Sequence, residues 1–161
     1  MNKLASSVIF ILCSFSSIAQ QDAEKFHNQI SSQFDKISIA INKFNESIII
    51  YDGDSILNSY KNLLQVTESA VRDFESIVVP VDGKEYYKAA FDLLQFYLTT
   101  YENDYFDAVA ILFRLPLNDD DIAEVERIFD RVELKETILL KMYNKMQILY
   151  CNENKIDIDG E

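Results

Sequence analysis

Turn-forming residues are scarce in this chain, with three Gly and two Pro in 161 residues. A many-stranded sandwich or barrel needs a turn signal every 8–12 residues or so, and that class is therefore excluded. Histidine and cysteine are also rare, at one and two copies. Positive charge is short too: 15 Lys plus Arg stand against 27 Asp plus Glu, a formal net charge of -12. Such an acidic balance is unfavourable to phosphate backbones, so nucleic acid is not an expected partner. The chain does have 48% hydrophobic residues, too many for wholesale disorder.

The N-terminal segment 1–19 reads MNKLASSVIFILCSFSSIA. Lys3 gives a short positive start, and Leu4 to Cys13 form an apolar run too short to span a bilayer. Ser17 and Ala19 place small residues at the -3 and -1 positions of a cleavage site. The segment reads as a secretory signal peptide cut after Ala19. Leu12 precedes Cys13 where a lipoprotein signal wants a small residue, so lipidation is not expected. Cleavage removes Lys3 and no acid, which makes the mature chain still more acidic. A single domain of the remaining size buries close to ~70% of its unfolded surface without a disulfide. Only Cys151 survives cleavage, which forbids an internal disulfide and a thiolate zinc cluster. As a near-terminal thiol, Cys151 is expected to be inconsequential, with intermolecular pairing the sharper alternative.

Beyond residue 19 the apolar residues recur at helical spacing. The first stripe is Phe26, Ile30, Phe34, Ile37, Ile41, Phe44, Ile48 and Tyr51, stopped at Asp52-Gly53, where Gly tolerates a left-handed helix end. Asp54 or Ser55 is the expected cap of the next helix. Its stripe is Ile56, Tyr60, Leu63, Thr67, Ala70, Phe74 and Ile77, ended by Val79-Pro80 and the Asp82-Gly83 turn. A third stripe runs Tyr87, Phe91, Leu94, Leu98, Tyr101, Tyr105, Ala108 and Leu112, closing at Leu115-Pro116. The fourth opens with Asn118 as cap, ahead of Asp119, Asp120 and Asp121, which suit the positive end of a helix dipole. It continues through Ile122, Val125, Phe129, Val132, Leu139, Tyr143, Met146 and Tyr150. Short connections favour antiparallel neighbours. The expected fold is an all-α, four-helix up-down-up-down bundle over 20–151, with 152–161 an acidic flexible tail.

The helices offer little chemistry. Glu24 and His27 have the spacing used by di-iron bundles, but the second such motif needs a second His, and His27 reads as an exposed residue beside Phe26. His27 with Met142 or Met146 has no haem-attachment motif to support it. The acids at Asp52–Asp54, Asn118–Asp121 and Asp157–Glu161 lack the calcium-loop pattern. Asp92, Glu102, Asp107, Glu124, Glu126 and Glu136 lie off the stripes and read as a solvated face. No catalytic, metal or cofactor-binding residue is therefore expected. On a helical wheel Phe96 falls opposite the third stripe, with Phe106 and Phe113 on its flank. These three form the candidate interaction surface.

Tyr87, Ala90, Leu93, Leu94, Phe96, Tyr97, Tyr105 and the Asn118–Asp121 opening resemble, over roughly residues 50–152, a family of small exported bacterial proteins. Its members occur in leptospires and Bacteroidetes-type bacteria as surface proteins without an assigned role. The resemblance implies a signal peptide and an all-helical bundle, and it supplies no catalytic motif. The expected function is a non-catalytic exported bundle in the periplasm, on the cell surface or outside the cell, binding a protein partner or a second copy of itself. The alternative is a carrier or sensor holding a small ligand between the helices, with hydroxyls from Tyr60, Tyr87, Tyr101, Tyr105 and Tyr143 near the core. A sizeable tyrosine-lined cavity would favour that alternative. No run after residue 19 is long and apolar enough for a transmembrane segment.

Overall fold

The computed structural model describes the backbone of residues 3–114 and 116–157, and the side chains of 20–114 and 116–157. Within these the chain is all helical: α1 (Lys3–Ile50), α2 (Gly53–Glu75), α3 (Lys84–Glu102), α4 (Asp104–Leu112) and α5 (Asp119–Asn154). The two longest helices, α1 and α5, contain no Gly or Pro, and nothing in them interrupts the i to i-4 ladder. With α3 and α4 taken as one broken helix, the fold is a four-helix bundle. No helix among the described residues is long and apolar enough to cross a membrane. The side chains of 1–19, and with them the signal-peptide and Cys13 readings, lie outside the described residues, as do 158–161.

Helix α1 packs chiefly on α2, α2 on α3, and α3 on α5. The expected second stripe is buried in full, from Ile56 to Ile77. In α1, Phe26, Ile30, Ile37 and Phe44 are buried, joined by Ala23 and Ala40, while Tyr51 is exposed. The third stripe is buried as expected at Leu94, Tyr101 and Ala108, but over its first turns the buried face is shifted by one residue. Tyr86, Ala90, Leu93, Leu94 and Tyr101 are the buried members, with Tyr87, Phe91 and Leu98 half-buried beside them. The reason is placement: α3 is flanked by both α2 and α5, so it has two faces to bury. For the same reason Phe96 is half-buried against the core, and not on the free surface that the wheel gave it. In α5, Ile122 is exposed and Ile128 is buried in its place.

The helix ends differ from the expected ones in instructive ways. The left-handed residue closing α1 is Tyr51, at φ 56°, and neither described glycine has positive φ. Asp52, and neither Asp54 nor Ser55, caps α2, accepting from the Ser55 amide at 3.2 Å and from the Ser55 hydroxyl. Gly83 is needed for space: a Cβ there would sit 2.7 Å from the Phe26 ring and 2.8 Å from Pro80. Asn118 caps α5 as expected, accepting from the Asp121 amide at 3.0 Å while Asp121 accepts from the Asn118 amide at 3.2 Å. This reciprocal pair satisfies amides that the helix itself leaves open. The far end of α5 runs on to Asn154, past the expected start of the tail, and Ile156 packs on the core.

A single helix was expected over 87–112, and the chain breaks it at Asn103. The Asn103 side-chain amide donates to the Thr99 carbonyl at 2.7 Å, offering the backbone a local alternative to helical pairing. Redirected by the break, α4 lies on the first half of α5. There Ala108, Ile111, Val125 and Ile128 form a small second core. An Arg131–Asp104 ion pair at 2.6 Å ties the two helices together.

Candidate functional site: a tyrosine-walled cleft

Helices α1 and α5 approach each other closely at few points. Between them lies a partly open cleft of about 390 Å³, with α1 and α5 as walls and α3 as floor. The α3 periodicity builds that floor. Tyr97, Tyr101 and Tyr105 follow one another at four-residue intervals, and the break at Asn103 leaves all three on the cleft. Tyr97 and Tyr101 stack with planes 5° apart and centroids at 5.8 Å, while Tyr105 stands against Tyr101 at 69° and 4.9 Å. Phe34 from α1 continues the ring chain, edge-on to Tyr97 at 6.4 Å and 4.7 Å from Tyr143 of α5. Five aromatic rings therefore line the space, Tyr97 and Tyr101 parallel and the others inclined to their neighbours.

One carboxylate enters this aromatic wall. Glu136 of α5 is half-buried, and its Oε1 accepts a 2.6 Å hydrogen bond from the Tyr97 hydroxyl. Neither Lys nor Arg lines the cleft, and Glu136 belongs to no ion pair among the described residues. Burial pushes the Tyr97 phenol upward, reinforced by its bond to Glu136. Burial likewise raises Tyr101 and Tyr143, and it takes Tyr105 up to about 12 with a contribution from Glu136. All four phenols stay protonated at neutral pH, and Tyr97 spends its proton on Glu136.

Three of the five tyrosines expected near a core ligand, Tyr101, Tyr105 and Tyr143, line this cleft. The other two are spent on backbone carbonyls: Tyr60 donates to Tyr101 at 3.0 Å and Tyr87 to Phe74 at 3.3 Å. Tyr97 and Glu136 were missed by the sequence reading. The four-residue Tyr repeat would have found Tyr97. Glu136 had no signal of its own, because an acid off the apolar stripe normally faces water. On the candidate interaction surface, Phe106 and Phe113 are exposed, at 57% and 45%.

At the opposite end of the α1–α5 seam lies a buried polar cluster that corrects two expectations. His27 is buried, not exposed, with Nδ1 3.1 Å from the Tyr86 hydroxyl and 3.6 Å from Cys151 Sγ. Its Nε2 is 3.5 Å from the Ser31 hydroxyl. Cys151 is fully buried, so intermolecular pairing is closed to the folded chain. Burial lowers the His27 pKa against a small opposing pull from Glu24, and burial raises Cys151. A neutral imidazole beside a protonated thiol is a structural contact, unlike the ion pair that activates a cysteine nucleophile. Among the described residues no group of three or more His, Cys, Asp or Glu is placed to hold a metal.

No protein-family model matches the chain, and neither a curated protein nor a solved structure matches it.

Proposed function

We propose that this chain is an exported, non-catalytic helical bundle that carries or senses a small ligand held between α1 and α5. The cleft itself carries the proposal: aromatic rings, hydroxyls and one carboxylate converge on a space of ligand size at the seam where the bundle is least closed. Two observations support the non-catalytic part. The cleft phenols are held protonated, and the only imidazole and thiol among the described side chains are buried and neutral in a different place. Export rests on the sequence of residues 1–19, with a mature chain starting at Gln20 and residing in the periplasm, at the cell surface or outside. The first buried side chain of α1 among those described is Ala23, which suits that start. The up-down-up-down order and the kinship with small exported surface proteins belong to the same proposal.

Native mass spectrometry of the protein isolated from its own cells tests both halves at once. The expected result is a mass lacking residues 1–19 together with a co-purified small molecule. A mass that includes Met1 to Ala19 refutes export, and a ligand-free mass refutes the carrier reading.

A second reading has its own support. Phe106 on α4 and Phe113 just past its end are exposed, and Leu134, Ile138, Met142 and Leu149 are exposed along one face of α5. Such a surface suits a protein partner or a second copy. Sedimentation of the wild type and of Phe106→Ser/Met142→Ser separates the two for self-association: a wild-type dimer that the double variant abolishes favours the second copy.

A further inference from the structure

We propose that the ligand of the α1–α5 cleft is an organic cation with a methylated or quaternary ammonium head. This rests on the carrier reading above and names the chemistry that the cleft would select. Glu136 is the single charged side chain lining the cleft, and no base among the described residues pairs with it. Its Oε1 is taken by Tyr97, while no donor among the described residues is bonded to Oε2. An anionic ligand would meet that carboxylate inside a molecule of formal charge -12. A purely apolar ligand would desolvate the carboxylate and several hydroxyls without offering them a partner. A hard metal ion needs six or more oxygen ligands and would find one carboxylate.

An ammonium ion is the species that the remaining features suit. Tyr97, Tyr101, Tyr105, Tyr143 and Phe34 line the space as one connected chain of rings, neighbouring planes lying 5° to 69° apart. Several aromatic rings lining a common space attract a diffuse cation through their quadrupoles. Donating its hydroxyl proton to the Glu136 carboxylate makes the Tyr97 ring more electron-rich, and so more attractive to a cation. The cleft volume of about 390 Å³ leaves room for the head and a short chain. The acidity of the whole chain adds a long-range attraction that weakens as salt is added.

The test titrates choline and its neutral isostere, 3,3-dimethylbutan-1-ol, into the full chain, following the tyrosine ring signals by NMR. Choline is expected to shift the cleft tyrosines and to bind at least tenfold more tightly than the isostere, with affinity falling as salt rises. Glu136→Gln should weaken choline at least fivefold. Tyr105→Leu should do the same, whereas Tyr105→Phe, which keeps the ring, should bind within twofold of wild type and controls for folding. Equal binding of choline and the isostere overturns the cation and leaves the carrier reading standing. Binding of choline that Glu136→Gln leaves unchanged also overturns it. Absence of any choline shift overturns it too, and the carrier reading is then decided by the native mass alone. A concentration-dependent dimer that fills the cleft and blocks choline assigns the space to a second copy and refutes the proposal.

Discussion

His27 shows how much one position depends on its surroundings. On the sequence it is a polar residue one place from Phe26; in the fold it is enclosed by Tyr86, Cys151 and Ser31, with Glu24 nearby and Tyr143 across Tyr86. Burial depresses its pKa below 6.5, so the unfolded chain takes up this proton at a higher pH than the folded one. Stability linked to His27 is therefore complete above about pH 6.5 and falls as the pH drops toward the folded value. Urea unfolding at pH 7.5 and 5.5 should show a larger acid loss in wild type than in His27→Gln. Equal losses in both proteins would remove His27 as the source. Nothing in a single sequence announces this burial, because the partners lie 59 and 124 positions away. A separation of 39 positions likewise hides Glu136 from Tyr97, whereas the Tyr97–Tyr101–Tyr105 spacing is plain to read.

At the scale of elements, reading was easiest where the chain signals locally. Asn118 ahead of three aspartates is a capping box in residues, and the helix starts there. Asn118→Ala should cost about 1 kcal/mol in urea unfolding with an unchanged m-value, through lost amide pairing at the first turn. A change below a few tenths would mean that Asp121, also paired with Arg114 at 3.0 Å, holds the turn unaided. Periodicity alone located the second stripe completely, since α2 has one dominant buried face. It misjudged the first turns of α3, because that helix packs on α1, α2 and α5, whereas α2 packs chiefly on α1 and α3. The Asn103 break was also illegible: Asn is tolerated within helices, and its side chain ends one here because α4 gains a separate core by leaving the α3 axis.

Across the whole molecule, packing is uneven. The α1–α2 and α3–α5 pairs are close, and the α1–α5 seam is held mainly near its His27 end. Cys151 seals that end, fully buried, and Tyr150 beside it reaches the Ala23 carbonyl at 3.5 Å. Its thiol reports on opening of the seam. Reaction with a thiol reagent should be on the order of a hundredfold slower in the native chain than in urea, at a rate set by local or global opening. Comparable rates in both states would show that the seam is open most of the time.

Gly83 sets a constraint of a different kind. The Phe26 ring and Pro80 occupy the space where any other residue would place its first carbon, and Phe26 in turn rests on Tyr86 and Tyr150. Positions 26 and 83 are therefore not free to drift separately. A lineage that acquires alanine at 83 must also shrink the ring at 26 and displace Pro80, and one that keeps the ring and the proline must keep the glycine. A side chain at 83 should therefore appear in descendants only where 26 and 80, the former more than 50 residues away in the chain, have already changed.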